Sequence, residues 1–389
     1  MLSCGASEAW ERIGEERTVK FSLNQEQTIL KDTVEKFVQD RYGANQRRQY
    51  RSAPTGYSID NWRDLAELGL LGLPFSEADG GLNAGPRELV AVMEVLGSGF
   101  VVEPLLEEVV FAAGFLARAG DPVQKREWLP RIIAGESHLA IAHFEHAARF
   151  NLAEVRVRVR SSAAGDALDG DKIVVPLAAS ADRWIVSARR HGEDADPTGV
   201  EFHMLSPDAR GVERRDFRLV DGSLASAISF RGTVPEARLP GGFDDFAAVV
   251  DTVRLAAGAE MLGIMSTLFK STVDYLRTRK QFGAPLASFQ ALQHRLADLY
   301  VLLEQSRSHV LRAALAAATG AACASSIAAM KSYVSRASVE IGEECVHLHG
   351  GIGTTEDLAV GHGYKRLLVL ASLFGDANAE LTRFMRLAS

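Results

Sequence analysis

The sequence predicts an α+β fold made of an N-terminal helical domain, a central β-barrel and a C-terminal four-helix bundle. Apolar residues recur at helical spacing in the first and last parts of the chain, whereas the middle contains short runs that alternate apolar and polar residues. A chain of 389 residues is also too long for one ordinary core. We therefore predict domains at residues 21–138, 139–240 and 241–389, after a leader of residues 1–20.

Helical signals account for the first domain. A helix is expected to open at Ser22 or Asn24, with Glu26 as a capping partner, because these side chains suit the first turn of a helix. Glycine, proline and an Asp-Pro pair then separate the later apolar segments. The predicted helices that follow lie at 62–70, 86–96, 101–119 and 123–134.

Strand signals begin near His138. Residues 155–160 alternate apolar and basic side chains, as a half-buried strand does, and Asp169–Lys172 is interpreted as a turn. Helical spacing returns after Pro240, and no strand–GxGxxG–helix unit occurs that would predict a Rossmann fold. The further strands are predicted at 173–175, 184–188, 200–205 and 227–230, and the long helices of the bundle at 250–278, 289–318 and 321–348.

Composition excludes several classes of protein. Hydrophobic residues make up 47% and charged residues 24% of the chain, which excludes disordered and fibrous proteins. A net charge of −7 argues against binding to nucleic acid. Three cysteines without paired spacing predict neither a disulfide framework nor a metal site, and they favour a reducing, cytoplasmic setting. No uncharged apolar run of about 18 residues exists, so we expect no membrane span.

The first chemical signal is the segment 279–283, Arg-Lys-Gln-Phe-Gly, followed by the amide-rich segment 289–294. Cations at the end of one helix, next to the N-terminus of another, form a site that suits a pyrophosphate. A solvated helix cap joined to a loop is the alternative interpretation of the same residues.

The second signal is the segment 347–353, His-Leu-His-Gly-Gly-Ile-Gly, which follows another long helix. Its glycines allow a backbone to approach a ligand closely, although a glycine C-cap is the common alternative. The two histidines lie on different helix faces and do not form a metal pair.

These two motifs, in this order and about 70 residues apart, resemble those of the acyl-CoA dehydrogenase family. The resemblance covers nearly the whole chain and includes Trp62–Gly81 and the hairpin segment Asp169–Lys172. It implies a non-covalent FAD between the barrel and the C-terminal bundle, partly completed by a neighbouring subunit. Arg279, Lys280 and Gln281 would face the ADP part, and 347–351 would contact the cofactor from another chain. The full implied cofactor set is Arg279, Lys280, Gln281, Phe282, Phe289, Gln290, His347, Gly350 and Gly351.

The chain departs from the family pattern in the barrel. The family's Thr-Glu-Pro-x-Ala-Gly-Ser-Asp segment, which holds flavin and thioester, corresponds to residues 144–151, and of its polar residues only Glu145 is kept. The tryptophan that packs on the flavin corresponds to Val174, and a glutamine is usual at His347.

The catalytic base is also missing from its usual places. The reaction removes a proton α to a thioester carbonyl, so a carboxylate must lie beside the substrate. The two positions that supply it in the family correspond here to Phe374 and Val253. Glu260, seven residues after Val253 on the same helix face, and Asp376 are the candidate substitutes. The alternative interpretations are a buried carboxylate paired with an arginine for Glu260 and a loop cap for Asp376.

Two classes of function follow from the resemblance. One is FAD-dependent α,β-dehydrogenation of an unusual acyl-CoA thioester with an atypical base. The segment 360–367 is similar to that of a specialised bacterial branch of the family, which would carry out this reaction. The other is a non-catalytic structural subunit of a heteromeric acyl-CoA dehydrogenase. The resemblance further implies a role in lipid metabolism, an electron-transfer flavoprotein as partner, and a homo- or hetero-oligomer, either a dimer or a tetramer.

Overall fold

The computed structural model describes residues 24–162, 165–321, 323–355 and 358–388. The predicted leader, residues 1–20, lies outside the described residues. The three predicted parts are present in order: helices, a sheet, then long helices. In the described part of the chain, no helix combines the length and the apolar character needed to cross a bilayer.

The N-terminal part packs short helices around a core that includes Trp62. Asn24, one of the two predicted starts, caps the first helix in a capping box. Its partner in the capping box is Gln27, whereas Glu26 was expected. A buried π-helix spans Leu105–Ala113, where an α-helix was predicted. The α-helices are α1 (Gln25–Arg41), α2 (Ala44–Ser52), α3 (Ile59–Glu67), α4 (Pro86–Ser98), α5 (Gly114–Ala119) and α6 (Pro122–Ile133).

The central part is one eight-stranded sheet in the order β6-β7-β3-β2-β4-β5-β8, with β1 paired to β4. No pairing among the described residues joins β6 to β8, so the sheet is open and the predicted barrel does not close. β6 carries exposed charges of both signs, which disfavour a further strand at that edge. The strands are β1 (Leu139–Ala142), β2 (Arg158–Ser162), β3 (Gly165–Pro176), β4 (Arg183–Arg189), β5 (Val200–Leu205), β6 (Val212–Arg218), β7 (Leu224–Thr233) and β8 (Ala237–Leu239).

The predicted turn at Asp169–Lys172 is wrong, because these residues continue strand β3. Gly170 adopts a φ of 138°, and a Cβ there would lie 2.9 Å from the Cα of Val157. The register between β3 and β7 also shifts after Leu168. The glycine thus allows a bulge with a close backbone approach, and the strand continues through it.

The C-terminal part is built on the 36-residue helix α7, most of which is buried. A Cβ at Gly97 would lie 2.2 Å from the carbonyl oxygen of Glu260, and one at Gly263 would lie 1.9 Å from that of Glu94. Glycine at both positions therefore lets α4 and α7 pack backbone against backbone. The elements are α7 (Phe243–Thr278), the hairpin strands β9 (Lys280–Gln281) and β10 (Ala284–Pro285), α8 (Gln290–Thr319), α9 (Cys323–His349), α10 (Ala359–Ser372) and α11 (Ala377–Ala388).

Arg366 on α10 connects the three parts of the molecule through buried ion pairs. Its guanidinium contacts Glu260 of α7 at 2.7 Å, Glu107 of the π-helix at 3.1 Å and Asp221 of the β6–β7 turn at 3.3 Å. Arg51 of α2 lies 3.9 Å from the same Asp221. Because each part contributes a charge, this Arg366 network fixes how the sheet and the two helical parts are placed.

We expect Arg366→Met to lower the free energy of unfolding by about 3–5 kcal/mol, because it leaves the buried Glu260 and Asp221 and the partly buried Glu107 without their shared cation. The control is Arg160→Met, which removes an arginine 74% exposed and 3.0 Å from Asp169. That change should lower the free energy of unfolding by at most about 1 kcal/mol. Urea titrations of both variants measure the difference, and equal losses would contradict the role assigned to Arg366.

Candidate functional site

Two predicted motifs meet in one cavity of about 410 Å³, which we call the glycine-loop cavity. It forms where the end of α7 approaches the end of α9 in the same chain, so both motifs belong to one cavity of one chain. Gly350 adopts a φ of 69°, and no atom lies within 4 Å of a Cβ at either Gly350 or Gly351. The lining residues are Tyr275, Arg279, Leu286, His347, Leu348, His349, Gly350, Gly351 and Ile352.

The glycine-loop cavity suits an anion. Arg279 is exposed, and its guanidinium has no partner among the residues that the structure describes. His347 Nδ1 lies 2.9 Å from a guanidinium nitrogen of Arg295. Because arginine only donates, Nδ1 of His347 accepts this hydrogen bond, which leaves the N–H of the ring at Nε2. His347 can therefore offer an N–H donor, as the amide of glutamine does, beside the charge of Arg279.

The remaining predicted cofactor residues lie on or after the β9–β10 hairpin and do not line this cavity. Lys280 and Gln281 are exposed, and Phe282 is 91% exposed with a φ of 55°. The Phe282 ring lies edge-on to Phe289, with centroids 6.2 Å apart, and Gln290 begins α8. Apart from the half-buried Phe289, this group is exposed.

A second cavity, of about 480 Å³, lies between the sheet and the C-terminal helices, and we call it the sheet–bundle cavity. It contains Phe374, at the usual base position, and residues of the altered segment 144–151. Phe374 is buried and packs against Phe111 and Phe144, with centroids 4.9 and 5.5 Å away. The lining residues are Phe144, Glu145, His146, Arg149, Phe150, Ile173, Val174, Leu219, Val220, Leu368, Val369, Ser372, Leu373 and Phe374.

Glu145, the polar residue kept from the family segment, is held by buried hydrogen bonds that include Lys172. Lys172 donates to Glu145 at 2.6 Å, to Ser187 at 2.8 Å and to the His143 carbonyl at 3.1 Å. Burial lowers the pKa of Lys172 to about 8, while the Glu145 carboxylate opposes the shift. Glu145 also accepts two backbone N–H groups from residues 156 and 157. The pair therefore shapes the loop and leaves no free base.

The turn at Phe374 is rigidly held although it carries no carboxylate. Arg254 donates to the Phe374 carbonyl at 2.9 Å. Lys331, fully buried, donates to the carbonyls of Gly375 at 2.8 Å, of Leu370 at 3.0 Å and of Ala371 at 3.2 Å. Burial lowers the pKa of Lys331 to about 7. Neither base position holds an acid, because Val253 is also a buried apolar residue.

Glu260 lies in the Arg366 network and lines neither cavity. Both of its carboxylate oxygens accept from Arg366, at 2.7 and 3.2 Å. Burial raises the pKa of Glu260, and the guanidinium of Arg366 opposes that shift. This arrangement corresponds to the alternative interpretation, a buried carboxylate paired with an arginine.

Asp376 caps the last helix. Its Oδ1 accepts from the backbone N–H of Ala379 at 2.8 Å, and its carbonyl accepts from that of Glu380 at 3.0 Å. This also matches its alternative interpretation as a cap. Neither candidate base lies with Phe374 in the sheet–bundle cavity.

Sequence reasoning assigned no role to Lys331 or Arg366, or to Arg149 at the sheet–bundle cavity. A signal existed for Lys331, the only charged residue in the segment 326–335, Ser-Ile-Ala-Ala-Met-Lys-Ser-Tyr-Val-Ser. A lysine in such a run is buried only when acceptors surround it. Arg366 lies in the segment 360–367, but nothing local indicates its ion pairs, since its partners are distant in sequence.

Comparison with known proteins agrees with this architecture. Residues 24–136 match the acyl-CoA dehydrogenase N-terminal domain and residues 241–386 the C-terminal domain. The chain is 28% identical to acyl-CoA dehydrogenase FadE27 of Mycobacterium tuberculosis, covering 84% of this chain and 87% of that one. It is 27% identical to mitochondrial isovaleryl-CoA dehydrogenase of Pongo abelii, covering 93% and 88%.

Solved structures show the same similarity. The Tcur3481–Tcur3483 steroid ACAD G363A variant superimposes with a TM-score of 0.84 at 28% identity, covering 94% of this chain and 98% of that one. The ChsE4–ChsE5 complex of Mycobacterium tuberculosis gives 0.86 at 26%, covering 95% and 98%. Since both domain models and these full-length relatives agree, the chain belongs to the acyl-CoA dehydrogenase family of oxidoreductases.

Proposed function

We propose that this chain is the FAD-binding but base-deficient subunit of a heteromeric acyl-CoA dehydrogenase. The observation that carries the proposal is that both base positions hold buried apolar side chains, Val253 within α7 and Phe374 on a turn that Lys331 and Arg254 hold in place. In this proposal a second, unlike chain supplies the carboxylate that removes the α-proton of the acyl-CoA.

The glycine-loop cavity is the part of the chain that fits FAD. The diphosphate of the cofactor needs positive charge and donors, and Arg279, His347 and the open backbone at Gly350 and Gly351 provide them. We place Lys280, Gln281, Phe282, Phe289 and Gln290 beside the same ADP part. When bound, FAD supplies the electron acceptor for oxidation of the acyl Cα–Cβ bond.

The exposed hairpin supports an assembly of at least two chains. Phe282 is 91% exposed, and a large apolar side chain in that state at the tip of a projection suits contact with another subunit. The names of two structural relatives, ChsE4–ChsE5 and Tcur3481–Tcur3483, each join two differently named proteins. We further propose an electron-transfer flavoprotein as the electron acceptor and, from the unpaired cysteines, a cytoplasmic location.

The second candidate is a self-sufficient dehydrogenase that uses Glu260 as its base. It is favoured by the raised pKa of Glu260, which suits a proton acceptor. It requires Arg366 to release a carboxylate that it holds through two hydrogen bonds, and it requires Glu260 to reach a cavity that it does not line. The geometry therefore supports the base-deficient subunit better.

We expect Arg279→Ala to weaken FAD binding about tenfold or more, since it removes a charge-assisted contact to the diphosphate. Arg277→Ala is the matched control, because Arg277 is 70% exposed and lies 3.8 Å from Asp274, outside the cavity lining. Equilibrium titration of the assembly with FAD measures the affinity for FAD of each variant. Equal affinities in the two variants would contradict the proposed diphosphate contact.

The proposal is tested directly by mixing this chain with unlike acyl-CoA dehydrogenase chains from the same source. Alone, the chain should reduce no flavin with any acyl-CoA, because it offers no base, and a partner chain should restore reduction. Glu260→Gln should leave the turnover of the mixed assembly within about twofold of wild type. If the chain alone turns over and Glu260→Gln lowers that rate by about 10²-fold, the self-sufficient dehydrogenase is correct instead.

A further inference from the structure

A third cavity lies between α3 and two loops beside the sheet, and we call it the α3 groove. One wall is a single face of α3, since its lining residues recur at helical spacing from Ile59 to Glu67. The other wall is formed by the loop between α6 and β1 and by the turn between β3 and β4. Its volume of about 1000 Å³ is large enough for a small molecule, and it shares no lining residue with the glycine-loop cavity or the sheet–bundle cavity.

The α3 groove contains a buried hydrogen-bond donor that has no acceptor. Trp62 is 1% exposed, and its indole N–H has no partner among the residues that the structure describes. A buried tryptophan N–H usually has an acceptor, because leaving it unpaired carries a free-energy cost. Since Trp62 lines the groove, we expect this acceptor to be an oxygen atom of a molecule bound there.

Neighbouring polar side chains of the groove already have partners. His138 is hydrogen-bonded to Glu108 through Nδ1 at 2.8 Å and to the Tyr57 hydroxyl through Nε2 at 3.2 Å. The hydroxyl of Thr55 donates to the Tyr57 carbonyl at 2.7 Å. These contacts leave the indole N–H of Trp62 as the buried donor that a ligand can use.

Two carboxylates without partners start beside this donor. A Cβ at Gly135 would lie 3.3 Å from the Cβ of Ala66 and 3.4 Å from Cδ1 of Trp62, the ring atom bonded to Nε1. Glu67 follows Ala66 in the sequence and Glu136 follows Gly135, so both glutamates begin close to the indole. Both are exposed and line the groove, and neither carboxylate has an ion pair or hydrogen bond within the described part of the chain.

The charge balance of the groove favours a cation. The guanidinium of Arg63 lies 3.6 Å from Asp60, so the charge of this lining arginine is balanced by an acid outside the groove. The carboxylates of Glu67 and Glu136 have no such partner, and an ammonium group between them would make charge-assisted hydrogen bonds. Ile59, one turn before Trp62 and 51% exposed, adds apolar surface to the same wall.

We propose that the α3 groove binds an α-amino amide, a molecule in which a protonated amine stands next to an amide carbonyl. The amine lies between Glu67 and Glu136, and the carbonyl oxygen accepts from the indole N–H of Trp62. An apolar side chain of the ligand packs on Ile59. Free amino-acid amides and the N-terminal residues of peptides share this chemistry. The site uses no residue assigned to FAD or to the base, so it stands whether or not the base-deficient subunit function is correct.

The test is calorimetric titration of the full chain with three probes that share an isobutyl group, at about pH 6.5, where an α-amino group is protonated. The probes are leucinamide, 3-methylbutylamine, which lacks the carbonyl, and N-acetyl-leucinamide, which lacks the charge. Leucinamide should bind at least about threefold more tightly than 3-methylbutylamine and at least about fivefold more tightly than N-acetyl-leucinamide. Tighter binding of Leu-Gly-Gly than of leucinamide would assign the site to peptide N-termini, and weaker binding would assign it to free amides.

Two variants locate the site. Trp62→Phe removes the N–H but keeps an aromatic ring, so it should lower the affinity for leucinamide to that for 3-methylbutylamine. Glu136→Gln changes an exposed residue, and it should weaken both amines about fivefold and leave N-acetyl-leucinamide unchanged. Glu213→Gln, at an exposed position on β6, is the control and should change no affinity. If Trp62→Phe does not fold, Glu136→Gln and its control decide the question.

A direct readout is the indole N–H signal of Trp62 in the chain labelled with ¹⁵N-tryptophan. Leucinamide should shift this signal more than 3-methylbutylamine does, because only leucinamide offers a carbonyl acceptor. Equal affinity for the three probes, no effect of Glu136→Gln, or an indole signal that leucinamide does not move would overturn the proposal. The acceptor of the Trp62 N–H would then be water.

Discussion

A buried guanidinium that must be neutralised is the constraint on which the rest of this structure depends. Arg366 is removed from water, and the cost of burying its charge is offset only where carboxylates reach it from other elements. Glu107, Asp221 and Glu260 do so from the π-helix, the β6–β7 turn and α7. Because these partners lie in all three parts of the chain, the network sets their relative placement and commits Glu260 to a structural ion pair.

The consequence for function lies at the turn that begins with Phe374. The carbonyls of this turn accept from Arg254 and Lys331, two buried side chains. The turn is thus held in place although it carries no carboxylate. In contrast, the guanidinium of Arg279 in the glycine-loop cavity has no partner among the described residues, and open backbone lies beside it. The proposed division of labour between two unlike chains rests on this difference between the two cavities.

Local patterns predicted much of the fold. The strand at residues 200–205 is confirmed at both ends, since its alternation and flanking turns are local signals. The Asp169–Lys172 segment was misinterpreted because Gly170 signals a turn or a bulge equally well, and the choice depends on the distant Val157. The π-helix Leu105–Ala113 differs from an α-helix only in its hydrogen bonds, which apolar spacing does not reveal.

The site was predictable to a similar degree. The resemblance implies that Arg279 and His347 contact the same cofactor, and in the structure both residues line one cavity of one chain. Glu260 is a candidate base because it shares a helix face with Val253. Its partner Arg366 is 106 residues away in sequence, and no local pattern reveals such a pair.

The most direct test of the account is the flavin content of the purified two-chain assembly, measured by absorbance after denaturation and compared with the amount of each chain. If this chain supplies the diphosphate contacts for one FAD, and the altered segment 144–151 with Val174 holds no flavin ring, the assembly should contain one FAD for each pair of unlike chains. Two FAD molecules for each pair would contradict the account, because the sheet–bundle cavity of this chain would then hold a flavin ring.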